Sequence, residues 1–217
     1  MKYLLSLILM TLICMAASAQ NSADDEFQCG DLYYKICQTG KKDVEVVRRT
    51  GEYKKLSQIS VPDKITVGQT QYKVVKIGDG AFMGCANLKA VSIGSQIKEI
   101  GEYAFDGCTG LSSIQIPKSV KIIGDLAFEK CSSLKQVSLQ KGLVHIGSGS
   151  FGYCTALTEI YIPASVKTIE AEAFYGCSSL TTARLSKKTK YTDSGTYSND
   201  DDFEYSAFDE GVEIIVY

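Results

Sequence analysis

The chain has 217 residues, a formal net charge of −2 and eight cysteines. Its length is that of one domain of ordinary size. The charge is near neutral and the lysines are scattered along the sequence. A basic stripe, which nucleic-acid binding would require, is therefore not evident, and we predict no nucleic-acid partner.

Residues 1–19 have the features of a signal peptide. Lys2 precedes an apolar run at residues 4–15, and residues 17–19 (Ala-Ser-Ala) fit the small-x-small cleavage rule. The run is too short for a membrane span, and no other run could span a bilayer. We expect an exported protein located in the periplasm, at the cell surface or in the medium. Lipidation of Cys14 is the alternative, although the preceding Ile13 is bulky for it.

Residues 20–55 are predicted to form a small β cap. Apolar alternation indicates strands at residues 32–36 and 43–47, which would cover an otherwise open sheet edge. Cys29 and Cys37 could form a disulfide if the chain turns at Gly30-Asp31, because eight extended residues would span roughly 26 Å. The sequence leaves open whether this bridge forms.

Residues 56–185 carry a repeat. An imperfect copy starts at Leu56, with extra residues around 68–72 that indicate a small hairpin, and five regular copies with a period of 23 residues start at Ile77. Such a period is typical of a leucine-rich-repeat solenoid. Two residue types recur in strict columns: Phe82, Phe105, Phe128, Phe151 and Phe174, and Cys85, Cys108, Cys131, Cys154 and Cys177.

One repeat predicts one short strand and a return leg. Leu111, Ile114 and Ile116 follow the LxxLxL pattern, and Pro117 ends the strand because it lacks a backbone donor. The return leg is too short for a full helix, so we expect a single helical turn or a 3₁₀ turn there. Stacked copies would form a right-handed solenoid of mainly short parallel strands.

The cysteine column is predicted to be packing rather than chemistry. Neighbouring rungs point the same way, which is poor geometry for disulfides, and ligands strung along an axis cannot surround a metal. A buried thiol behaves as a small apolar group. We therefore expect these five thiols to be reduced and shielded.

Residues 186–217 are predicted to form a polar loop, at 187–204, and a capping repeat. Ala207 and Phe208 repeat the Ala-Phe pair, and residues 212–216 indicate a last strand. The acidic run at 200–202 lacks the ligand spacing and glycine of an EF-hand loop. We interpret it as a solvated loop tip.

Catalytic chemistry is sparse in this sequence. His145 is the one histidine, and its place in the repeat indicates an exposed turn position. With one histidine, the sequence offers few residues for a catalytic triad or a His-based metal site. We predict no enzymatic activity, no metal and no cofactor.

The repeat unit resembles that of a known family. The unit Ile-Gly-x-x-Ala-Phe-x-x-Cys-x-x-Leu-x-x-(Ile/Val)-x-Ile-Pro-x-x-Val is similar to the BspA-like leucine-rich repeats of host-associated anaerobic bacteria. It is present at residues 100–120 and 146–166, the latter with Ser150 in place of Ala. The resemblance covers about residues 30–217. It implies a secreted or surface-attached protein, in some members an adhesin for host matrix proteins or other microbes.

Strand alternation predicts which side chains look outward. One outward column holds Ser92, Gln115, Ser138, Tyr161 and Arg184, and its neighbour holds Ala90, Ser113, Gln136, Glu159 and Thr182. Tyr and Arg are frequent interface hot spots. We predict a partner site at Glu159, Tyr161 and Arg184, extended by Gln115 and Gln136. The partner would be a host-matrix or microbial surface protein. A glycan-binding module, a spacer without ligand and plain solvent exposure stay open.

Overall fold

The computed structural model of the protein describes residues 12–14, 26–37, 42–49, 51–192 and 206–217. Most of the predicted signal peptide and the predicted acidic loop tip at 200–202 lie outside these residues. Within them, no helix is both long and apolar enough to cross a membrane. The predicted architecture of short parallel strands in a repeating coil is confirmed, and the handedness and the domain boundaries stay predictions.

One side of the coil, the long-strand face, is formed by the predicted strands. Their side chains alternate between solvent and core, as at Ser113–Ile116, where Ile114 and Ile116 are buried and the other two are exposed. The strands run parallel in three ladders of two, two and three members. They are Gln58–Val61, Ala90–Ile93, Ser113–Ile116, Gln136–Leu139, Glu159–Tyr161, Thr182–Leu185 and Glu213–Val216.

A second sheet, the short-strand face, was not predicted; its repeat strands run parallel. Each regular repeat from the second onward contributes only two residues to it, and the isoleucine that opens the repeat is the buried one. The predicted hairpin is confirmed and leads into this sheet. The members are Lys64–Val67, Thr70–Ile77, Glu99–Ile100, Ile122–Ile123, His145–Ile146, Thr168–Ile169 and Lys190–Tyr191.

At its N-terminal end the short-strand sheet continues into the predicted cap region. Leu32–Ile36 pairs antiparallel with Asp43–Val46, as the sequence indicates, and with Glu26–Cys29, which was not foreseen. Asp43–Val46 in turn pairs with Thr70–Ile77. A strand at Leu12–Cys14 lies parallel to Lys64–Val67. The cap and the repeats therefore share one continuous sheet.

The third side of the coil consists of turns. The repeats use consecutive turns here, and within the described residues 3₁₀ geometry occurs only at Tyr53–Lys55. Two positions in each repeat have φ between 54° and 72°, including the non-glycine residues Tyr103, Leu126, Lys130, Tyr153 and Glu172. In these turns, main-chain N–H groups donate to carbonyl groups of the next repeat along the axis of the coil. Phe105, for example, donates its N–H to the Ala127 carbonyl of the next repeat at 2.7 Å.

The predicted phenylalanine column forms the centre of the core. Neighbouring rings from Phe82 to Phe174 lie with centroids 5.1–5.3 Å apart. Phe208 extends the column at 5.0 Å from Phe174. The assignment of residues 186–217 to a loop and a capping repeat stays a prediction. At the other end the column begins with Tyr53, whose ring lies 5.2 Å from Phe82. This tyrosine was not anticipated from the sequence.

Candidate functional site

The residues predicted to face a partner lie on the long-strand face. Gln115, Gln136, Glu159, Tyr161 and Arg184 are all exposed. All but Gln136 have a buried strand neighbour, so the backbone that carries them is held by the core; Val137, beside Gln136, is only partly buried. The face is a surface of short side chains over its first four strands and acquires large side chains only near its C-terminal end.

The structure brings three of the predicted residues together. Tyr161 is in register with Arg184, and Glu159 with Thr182, on adjacent parallel strands. Neither Glu159 nor Arg184 forms an ion pair with a described residue. Both charges are therefore available to a partner. Gln115 shares the outward column of Tyr161 but pairs with Ser138, so it lies two strands away from the group.

Tyr217 completes this group and was missed by the sequence analysis. Its ring stacks on that of Tyr161 with centroids 5.4 Å apart and planes within 4°. Its hydroxyl donates a hydrogen bond to the Ile162 carbonyl at 2.8 Å. Burial and the neighbouring Tyr161 hydroxyl raise the pKa of Tyr217 to about 12. The Tyr217 hydroxyl is thus protonated at physiological pH, and its hydrogen bond and the ring stack hold the two rings in one geometry.

We call Glu159, Tyr161, Arg184 and Tyr217 the tyrosine patch. Tyr161 is 52% exposed and Tyr217 48%. Val216, at the end of the last strand, is 53% exposed and adds an apolar margin. The patch therefore combines two rigid rings with one free charge of each sign. No signal near Tyr217 in the sequence could reveal it, because its role depends on contact with a residue 56 positions earlier.

The cysteine column is buried and free along its whole length. Each thiol from the second repeat onward donates to the phenylalanine carbonyl of the preceding repeat, as Cys131 does to Phe105 at 3.3 Å. The same bond recurs at Cys108, Cys154 and Cys177, at 3.1–3.3 Å. The column thus ties consecutive turns of the coil to one another. Burial raises the pKa of Cys131 to about 12 and also raises that of Cys108.

We expect the column thiols to resist alkylation in the native protein. The thiolate is the reactive species, and a raised pKa and burial both suppress it. Treating the folded chain with iodoacetamide at pH 8 should leave Cys108 and Cys131 unmodified, while the same treatment in denaturant should modify them fully. Peptide mass spectrometry reads both states. Rapid native labelling of either residue, or a disulfide between them, would show the packing to be wrong.

The disulfide considered between Cys29 and Cys37 is not formed. Cys37 is a free, partly buried thiol, whereas Cys29 is disulfide-bonded. The chain does turn between the two cysteines. Cys37, however, follows the strand Leu32–Ile36, and its N–H donates to the Asp43 carbonyl at 2.8 Å. Burial, then Glu45 and Asp43, raise the pKa of Cys37 to about 11, so it too is a poor nucleophile at neutral pH.

His145 occupies a strand position and not the exposed turn that we expected. It is partly buried in His145–Ile146, and its Nδ1 lies 2.7 Å from the Thr168 hydroxyl. Glu170 is 3.8 Å away. Over the described residues, no cluster of three or more His, Cys, Asp or Glu is arranged to hold a metal ion. The absence of enzymatic activity and of metal stays a prediction.

Two concave sites lie at the N-terminal end of the coil, away from the tyrosine patch. A cavity of about 210 Å³ is lined by residues that include Leu32, Tyr34 and Ile59. An open cleft of about 740 Å³ is lined mainly by charged residues, among them Lys76 and Glu99, which pair at 2.8 Å. Neither includes a predicted partner-binding residue.

Comparison with known proteins places this geometry in a family. The profile of the BspA type leucine-rich repeat region matches residues 52–149 and 75–204, with six copies. The chain belongs to the BspA-type leucine-rich repeat family. This confirms the resemblance seen in the repeat unit. A search of the curated proteins finds no match.

Solved structures share the coil. A leucine-rich repeat protein from T. pallidum (TpLRR) is 32% identical with a TM-score of 0.65, over 74% of this chain and 71% of that one. The pneumococcal vaccine antigen PcpA is 20% identical with a TM-score of 0.59, over 79% of this chain and 52% of that one. A repeat protein from Eubacterium ventriosum is 19% identical with a TM-score of 0.51, over 75% and 44%. The last two likenesses concern the fold alone.

Proposed function

We propose that this chain is an exported, surface-type binding module that recognises a protein partner through the tyrosine patch. The observation that carries the proposal is the stacked, exposed pair of Tyr161 and Tyr217 beside the free charges of Glu159 and Arg184. Tyrosine and arginine dominate interface hot spots because they combine large contact area with hydrogen bonding.

Rigidity is the second support. The Tyr217 hydroxyl bond to Ile162 and the ring stack hold both aromatic side chains before any partner arrives. Side chains that are already ordered lose less entropy on binding, so more of the contact energy appears as affinity. The remaining strands of the face carry mostly small neutral groups and offer less anchoring energy.

An adhesin-like role fits this surface. The predicted signal peptide would export the chain, and PcpA, which shares the fold, is described as a vaccine antigen. The family resemblance adds host matrix or microbial surface proteins as the partner class. We propose no catalytic activity, because the patch contains no nucleophile paired with a base.

A glycan is the second candidate partner for this patch. Exposed tyrosines can stack on sugar rings, but one face of the Tyr161 ring is already covered by Tyr217. That leaves less aromatic surface for a sugar than the exposure of Tyr161 suggests. The structure therefore favours a protein over a glycan at the patch.

The test is a binding panel followed by substitution. The full chain is offered immobilised fibronectin, fibrinogen and other matrix proteins, in parallel with a glycan array. Against the protein that binds, Tyr161→Ala and Arg184→Ala should each weaken affinity by about 1–2 kcal/mol. Ser92→Ala, in the same outward column three repeats earlier, is the matched control and should bind like the parent.

Stability must be followed in the same samples. Tyr161→Ala removes the ring that Tyr217 stacks on, so Tyr161→Phe, which keeps the ring, separates loss of contact from loss of fold. If both alanine variants bind like the parent, the partner site lies outside the tyrosine patch. Binding to glycans alone would support the second candidate, and failure of the whole panel would favour a spacer.

A further inference from the structure

A ridge of lysines runs along the corner between the two strand faces. It consists of residues 117–122, 140–145, 163–168 and 186–191, where each long strand ends and the short strand begins. These segments contain seven lysines and no aspartate or glutamate. We call this corner the lysine ridge. Its lysines, all exposed, are Lys118, Lys121, Lys141, Lys167, Lys187, Lys188 and Lys190.

The four segments are stacked on one another by main-chain hydrogen bonds. Val144 donates to the Lys121 carbonyl at 2.9 Å, Lys167 to Val144 at 2.8 Å and Lys190 to Lys167 at 2.8 Å. The core rings, 5.1–5.3 Å apart, give the axial distance between rungs. Each of the four repeats thus presents at least one lysine at this corner. The lysines fall in two columns, Lys118, Lys141 and Lys187, with Ala164 in place of a lysine, and Lys121 and Lys167, with Val144 in place of a lysine. Lys190 is in register with Thr168, next to the second column.

These charges are not neutralised by the protein itself. None of the ridge lysines forms an ion pair with a described residue. Acidic residues gather instead on the turn side, where residues 101–107, 124–130 and 170–176 carry six acids and one base, Lys130. The net charge of −2 therefore conceals one strongly basic corner and one acidic side. A surface of one sign attracts an oppositely charged polymer over about 8–10 Å at physiological salt.

We propose that the lysine ridge binds a linear anionic polysaccharide, with sulfate or carboxylate groups meeting successive lysines. A polymer with about one charge per sugar matches lysines that recur from one repeat of the coil to the next. Duplex DNA carries a charge every ~1.7 Å, which is denser than the ridge. Single-stranded nucleic acid is bound with the help of stacked aromatic rings. The first three ridge segments contain no Phe, Tyr or Trp.

This site is separate from the tyrosine patch. The patch lies on the outward face of the long strands, whereas the ridge lies on the corner that follows them. The two surfaces adjoin at their C-terminal ends, where the Lys187 N–H donates to the Tyr217 carbonyl at 3.2 Å, so the variants of the ridge are confined to its first three segments. Neither proposal depends on the other. One copy of this chain has room to bind a polysaccharide at the ridge and a protein at the patch at the same time.

The experiment uses heparin as the anionic polysaccharide probe. Binding of the full chain to immobilised heparin is measured between 50 and 200 mM salt, with neutral dextran and a DNA duplex as parallel probes. The variant carries Lys118→Gln, Lys121→Gln, Lys141→Gln and Lys167→Gln. The control carries Lys54→Gln, Lys55→Gln, Lys89→Gln and Lys135→Gln, which removes the same number of charges from exposed positions elsewhere.

The parent should bind heparin and not dextran, with affinity falling as salt rises. The ridge variant should lose about tenfold or more in affinity at low salt and show a shallower salt dependence. The control should stay within about twofold of the parent, and circular dichroism should be the same for all three. Equal loss in both variants, no heparin binding at 50 mM salt, or equal binding to dextran would overturn the proposal. Tighter binding to the duplex than to heparin would identify nucleic acid as the ligand and overturn it as well.

Discussion

Phe128→Ala is expected to lower the free energy of unfolding by about 3–5 kcal/mol. The ring is fully buried and lies between Phe105 at 5.1 Å and Phe151 at 5.2 Å, with planes within 5° of both. Truncation removes the transfer energy of the ring and leaves a cavity. The surroundings cannot collapse into it, because both neighbouring rings are fixed by the main-chain ladder of the turn side.

Position in the column supplies the internal control. Phe208 has one phenylalanine neighbour and the edge of Tyr191, so Phe208→Ala should cost less than Phe128→Ala. Ser132→Ala, an exposed change in the turn that follows Phe128, should stay within about 0.5 kcal/mol of the parent. Urea unfolding followed by circular dichroism measures all three. A cost below about 1 kcal/mol at Phe128 would mean that the ring column is not what holds the coil together.

Tyr53→Phe should lower the free energy of unfolding by about 1–3 kcal/mol although it keeps the ring. The Tyr53 hydroxyl accepts a hydrogen bond from the Tyr33 N–H at 2.8 Å and donates one to the Val47 carbonyl at 3.2 Å. The hydroxyl thereby links the strand Leu32–Ile36 and the residue after the strand Asp43–Val46 to the first ring of the core column. Its loss leaves both main-chain groups without their partner in a site where Tyr53 is only 2% exposed.

The same hydroxyl gives a pH signature. Burial raises the pKa of Tyr53 from 10.0 to about 12. Because the folded state holds this proton longer than the unfolded state, its stabilising contribution is complete below pH 10 and is lost as the pH rises toward 12. Stability should fall less steeply over that interval in Tyr53→Phe than in the parent. Tyr103→Phe, at an exposed ring, is the control, and an unchanged slope in Tyr53→Phe would contradict the assignment.

The repeat could be predicted because its physical cause lies within 23 residues. The spacing of Phe and Cys defines a column only if successive copies stack, and alternation at 113–116 fixes which side of the strand is buried. The same reasoning placed Tyr161 and Arg184 outward and side by side. These features need no information from outside the repeat.

Other features depend on contacts that a local pattern does not contain. The short-strand sheet escaped prediction because two residues, as at Ile122–Ile123, are too few to show a period. Tyr53 differs in type from the phenylalanines and lies 29 residues before Phe82, so it fell outside the repeat. The lysine ridge arises from stacking, which places Lys118 beside Lys141 although they lie 23 residues apart in the sequence.

Hydrogen exchange of the full chain, with and without the matrix protein that binds it, is the most direct test of the tyrosine patch as the partner site. We expect slower exchange on binding at residues 159–162, 182–187 and 213–217, where the patch and its supporting strands lie. Exchange on the turn side at residues 101–107 and 124–130 should not change. Protection confined to the turn side or to the cap at residues 26–49, with the patch unaffected, would contradict it.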